Sequence, residues 1–180
     1  MPRNLKTRTF ALILFTVMIV FKNYVIVIGQ DTKPQKADDA AETLAVVNKL
    51  FDRMAAADPA GIVALHIPQS QLVAVINRKD GKSMVETFDV DRFSKLFTDK
   101  SKAIAEQMYA PDVKVDGDLA IVTGRYVFFI GAKLSHCGVD SFYLVRTDAG
   151  WKIAGGASTI APGGCTDAEK AMKSPIREKS

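Results

Sequence analysis

Histidine, cysteine and tryptophan are scarce in this chain, with two, two and one among its 180 residues. His66, His136, Cys137 and Cys165 stand at spacings that match no zinc pattern, so no metal is expected, and no cofactor is expected either. Also missing is a Lys/Arg stripe interleaved with aromatics. Binding a phosphate backbone needs that electrostatic footprint, which argues against a nucleic-acid partner. Acidic residues are absent from positions 1–29, where Arg3, Lys6, Arg8 and Lys22 stand. The net charge of +4 therefore belongs to this segment, and the remainder is neutral.

What that segment does contain is hydrocarbon. Phe10 to Val20 is an unbroken apolar run of signal-peptide length, and a second run, Tyr24 to Ile28, follows Lys22 and Asn23. A membrane-crossing helix wants about 20 apolar residues, and a central lysine is costly there. Cleavage is the first reading: Val27 and Gly29 suit a cleavage site, with Gln30 the new N-terminus and a periplasmic or secreted product. A retained anchor is the second, and membrane contact would then run through residues 10–28 alone. Residues 1–29 are accordingly a signal peptide or anchor, 30–37 a polar linker, 38–165 one small domain, and 166–180 a charged, core-poor tail expected to be flexible.

The domain reads as α+β. Asp38 and Asp39 precede Leu44, Val47, Leu50, Phe51 and Met54 at helical spacing. Asp58 and Pro59 begin a short helix through about Leu65, after which Pro68 should break the chain, and a third helix follows Asp89 over 90–97. Between them, Leu72 to Ile76 reads as a strand and Arg78 to Gly81 as a turn. Four strands in meander are expected near 105–115, 118–130, 134–147 and 151–160, separated by turn-tolerant residues. Strands this long must coil or bulge, so the sheet should be strongly curved with the helices across its concave side.

Helices first, then a long meander closing on Gly150, Trp151, Lys152 and Ile153, resembles the cone-shaped superfamily of nuclear transport factor 2, ketosteroid isomerase and the SnoaL-type cyclases. The stretch HCGVDSFYLVRTDAGWKI, His136 to Ile153, is similar to the last hairpin of exported bacterial members. The resemblance covers roughly residues 38 to 165. It implies a pocket at the mouth of a cone, used by some members for isomerase, dehydratase or cyclase chemistry and by others for binding. Ala41 to Ala57 lacks the tyrosine that the isomerase pattern places on the first helix, so no catalytic residue is carried over.

In an exported domain the pair Cys137 and Cys165 reads as a disulfide, with two free buried thiols as the alternative. If Ile130 and Lys133 flank a two-residue turn, Arg125 lies opposite Gly138, with His136 and Asp140 as diagonal neighbours on one face. That set could hold an anion or move a proton, or it could be an ordinary Arg125–Asp140 ion pair. His66 could line the mouth of the cone, and Trp151 could stack on a ligand or pack in the core. Tyr126 to Ile130 are apolar on both faces of their strand, which calls for a second cover and suggests a homodimer. Three function classes follow: a binding module for a small apolar or anionic ligand, an enzyme on the same scaffold with Asp140 or His136 as base, and an assembly module acting through its sheet face.

Overall fold

The computed structural model describes residues 37–78 and 80–176. The expected targeting segment, and the linker up to residue 36, lie outside the described residues. Helix α1 (Ala37–Ala55) carries Asp38 and Asp39 in its first turn and Arg53 in its last, matching the helix dipole at both ends. Helix α2 (Pro59–Ala64) begins with proline at its first position and is capped by Asp58, whose Oδ1 accepts from the Gly61 amide at 2.9 Å. Strands β1 (His66–Asn77) and β2 (Ser83–Asp89) form a hairpin around Gly81, whose φ of +80° suits a residue without a Cβ. Asp89 caps helix α3 (Val90–Lys95). The meander follows as β3 (Ile104–Asp116), β4 (Leu119–Ile130), β5 (Lys133–Thr147) and β6 (Gly150–Ile160), and helix α4 (Asp167–Lys170) closes the described chain.

The six strands form one sheet in the order β2-β1-β6-β5-β4-β3, antiparallel except for the β1–β6 pair. Helix α2 ends next to Leu65 as the sequence suggests, but Pro68 does not break the chain, since β1 runs through it. This proline falls where the β1–β6 register shifts between His66 and Gln71, so its missing N–H breaks no ladder. Strand β2, an edge strand with mostly exposed side chains, has no counterpart in the sequence reading.

Across the sheet lies α1, burying Val47, Leu50, Phe51 and Met54 against Val122, Phe142, Leu144, Trp151 and Ile153. A second cluster occupies the other side: Ala105, Val127, Phe129 and Cys137 beneath Tyr109, Leu134, Cys165, Met172 and Ile176. The apolar second face of β4 is thus covered, at its C-terminal end, by the chain's own C-terminal segment. Cys137 and Cys165 are disulfide-bonded, and Ser174 donates to the Gly131 carbonyl at 2.8 Å. The tail expected to be flexible from Thr166 is instead built onto the sheet as far as Ile176. Its few apolar residues fall where β4 and β5 leave apolar surface open.

Candidate functional site

The curved sheet converges on its concave side around an inner cavity of about 220 Å³, walled by Leu50, Met54, Leu72, Phe93, Phe128 and Phe142 among others. Its polar groups are Glu106, Tyr126, His136 and Ser158. An outer cavity of about 490 Å³ lies between α1, at Asn48 and Asp52, and β3, with Pro175 and Ile176 on its far side. Glu106 lines both.

Strand alternation puts these side chains there. Ile104 and Met108 pack on the main core cluster, and Glu106 between them faces the same way. Tyr126 pairs with Gly138, where an added Cβ would collide with the Thr159 carbonyl oxygen and lie 2.8 Å from the Tyr126 ring. The absent side chain lets that ring approach β5 closely and donate its hydroxyl to the Thr159 carbonyl at 2.9 Å. His136 stacks on Phe128 with ring centroids 4.7 Å apart.

Asp140 is fully buried behind this surface, opposite Ser158 in the β5–β6 register. Its carboxyl meets that of Glu106. Two ionised carboxylates cannot hydrogen-bond each other, and the Ser158 hydroxyl alone cannot satisfy both oxygens of an ionised Asp140. A proton held between the two acids supplies the further donor. Burial pushes Asp140 up to about 6. Burial, then the charge of Asp140, raises Glu106 well above the carboxylate range. Burial also lowers His136, keeping its ring neutral near pH 7, and raises the Tyr126 phenol.

Of the five residues singled out from the sequence, His136 lines the inner cavity and Asp140 stands behind Glu106 and Ser158, which also line it. Arg125 faces the other side of the sheet. Ile130 and Lys133 do flank a two-residue turn, but the register slips between Phe128 and Phe129, leaving Ser135 unpaired. Arg125 therefore lies opposite Val139 rather than Gly138, with its faces exchanged relative to His136 and Asp140. Its guanidinium makes a bidentate pair with Glu169 of α4, at 2.6 and 2.9 Å, and Tyr109 donates to the same carboxylate. The Arg125–Asp140 ion pair is excluded by that arrangement.

His66 sits at the α2–β1 junction, buried, its Nδ1 hydrogen-bonded to the Ile62 carbonyl at 2.8 Å. Trp151 packs in the core with the Arg146 guanidinium 4.3 Å above its ring, away from both cavities. Sequence reasoning missed Glu106, Tyr126 and Ser158. For Glu106 a signal existed: a carboxylate between two apolar positions at a spacing of two, on the face its strand turns to the core.

Residues 43–161 match the family described as SnoaL-like domain. Among solved structures, the chain resembles a nuclear transport factor 2-like protein with a cystatin-like fold from Novosphingobium aromaticivorans, at 16% identity and a TM-score of 0.58, covering 74% of this chain and 88% of that one. A nuclear transport factor 2-like superfamily protein from Salmonella enterica serovar Typhimurium gives 16% and 0.55, covering 73% and 96%. A protein of unknown function with a cystatin-like fold from Nostoc punctiforme gives 10% and 0.57, covering 71% and 94%. At these identities the likeness is one of fold. No curated protein matches the chain.

Proposed function

This chain belongs to the SnoaL-like domain family, and on that premise we propose that it is an exported domain whose cone binds a small, largely apolar molecule. The observation that carries the reading is the inner cavity itself. Its walls are aliphatic and aromatic, and a few polar groups converge at one side, the arrangement ordinary in ligand pockets. The cavity alone suits a ligand of about one ring, and the outer cavity extends the space past Glu106.

A protein labelled with ¹⁵N and titrated with benzyl alcohol tests this. Saturable amide shifts are expected at Ala74, Tyr126, Phe128 and His136. Shifts confined to the outer sheet face, or none, would remove the reading.

Enzyme action on the same scaffold is the second reading, and the shared proton favours it. A carboxyl that titrates near 6 beside an apolar cavity is equipped for general acid–base work, with Glu106 the acid nearest the cavity. The anionic-ligand option loses its basis once Glu169 holds Arg125.

Export is supported by the basic, apolar N-terminal sequence and by the Cys137–Cys165 disulfide, which is compatible with an oxidising compartment. Mass analysis of protein recovered from the native cell envelope should find a chain beginning at Gln30. A homodimer remains a proposal for the outer face, where Leu119, Ile121 and Tyr143 are 50%, 40% and 45% exposed and Ile121 pairs across strands with Tyr143.

A further inference from the structure

Among the described residues, the charged groups lining the two cavities are Glu106 and Asp52, both acidic. Behind them stands Asp140, with no exposed surface and no basic partner among the described residues, the Ser158 hydroxyl being its one neighbouring donor outside Glu106. The neighbours that could compensate do not. The Tyr126 hydroxyl is engaged by the Thr159 carbonyl. His136 is a neutral ring, its Nδ1 3.1 Å from the Ser135 hydroxyl. Ser158 supplies one hydroxyl, while the elements facing the pair from the helical side bring Phe51, Met54, Phe93 and Phe97. A carboxylate charge on this pair therefore sits against an apolar enclosure whose described lining holds no Lys or Arg.

Resting on the binding function proposed above, we infer that the ligand is an apolar molecule carrying a protonated amine, whose ammonium group donates to Glu106, with Asp140 behind it adding acceptor charge, while its hydrocarbon fills the aromatic-walled inner cavity. An ammonium has three donors and no acceptor, matching a site rich in acceptors. Phe128, Phe142 and the Tyr126 ring offer the π-faces that attract a desolvated cation. The acidic rim, Asp52 with Glu106, raises the local concentration of cations and repels anions. Binding displaces the proton that the two acids share, since the ammonium takes its place as donor.

Calorimetric titration of the full chain with three probes of one shape, benzylamine, benzyl alcohol and benzoate, tests the assignment at pH about 7.5, where the amine is charged. The amine should bind about tenfold to a hundredfold more tightly than the alcohol, the range of one charge-assisted hydrogen bond, and benzoate most weakly. Its affinity should fall as the pH drops below about 6 and the pair is neutralised, with proton release on binding at higher pH. Glu106→Gln and Asp140→Asn should each abolish the preference for the amine, with an unchanged circular dichroism spectrum reporting that the variant is folded. Equal binding of amine and alcohol, or tighter binding of benzoate, would overturn the amine assignment and leave small-molecule binding standing. Failure of all three probes would overturn both.

Discussion

The carboxyl of Glu106, on β3, meets that of Asp140, on β5, across the concave face of the sheet, with Ser158 beside Asp140 and the inner cavity in front of both. Burial raises both carboxyls above the ordinary carboxylate range, so the pair favours keeping a proton.

Stability should therefore depend on pH in a particular sense. Both carboxyls are raised in the folded state, so the native protein retains a proton that the unfolded chain releases. This contribution is fully present below the ordinary carboxylate range and is lost as the pH rises through about 6. Thermal melts from pH about 4.5 to about 7.5 should show the melting temperature falling with pH more steeply in the wild type than in Asp140→Asn. Equal slopes would mean that the two acids titrate normally.

At the other carboxylate the sign reverses. Arg125 holds Glu169 down to about 2, with help from Tyr109 and the Thr166 amide. That stability is present above the unfolded value and is lost as the pH falls toward about 2. Arg125 is 40% exposed, so solvent screens much of the pair, and Arg125→Ala should cost about 1 kcal/mol at neutral pH in urea unfolding. An Arg125→Ala loss that persists when Glu169 is also replaced by Gln would show that the ion pair is not its source.

The disulfide should matter more. Cys137 and Cys165 lie 28 residues apart and fasten the segment that covers Val127 and Phe129. Replacing both cysteines by serine should cost about 3 to 4 kcal/mol in the chain-entropy model and open residues 162–176 to proteolysis. An unchanged denaturation midpoint would contradict this.

Gly138 makes the sharpest packing prediction. Its α-carbon faces the Thr159 carbonyl and the Tyr126 ring too closely for any side chain. Gly138→Ala should cost about 1 to 3 kcal/mol, as overpacking of a well-filled interior does, and should displace Tyr126. Near-UV circular dichroism with the Tyr126→Phe variant as reference would detect the displacement.

Much of this fold is legible in the sequence because its signals are local. The Asp58–Pro59 start, the Asp89 cap, the spacing of Val47, Leu50 and Met54, and the turns at Gly117, Gly131 and Gly150 each act within a few residues. The site is less legible because it depends on register. One unpaired residue, Ser135, exchanges the faces of Arg125 relative to Asp140 and moves the expected anion-binding group out of the cone. No local feature of the sequence places that bulge. The partner of Asp140 lies two strands away, on β3, so the acid pair is a product of sheet curvature rather than of any motif. The covering role of Met172 and Ile176 is likewise invisible in a segment whose composition is charged and polar.

Both the binding and the acid–base readings rest on Glu106 and Asp140 keeping a proton between them inside an apolar cone. Carbon-13 titration of the side-chain carboxyls tests it most directly. Asp140 should change state near 6, and Glu106 should remain protonated well above the carboxylate range. Both carboxyls titrating at about 4, as exposed acids do, would contradict it.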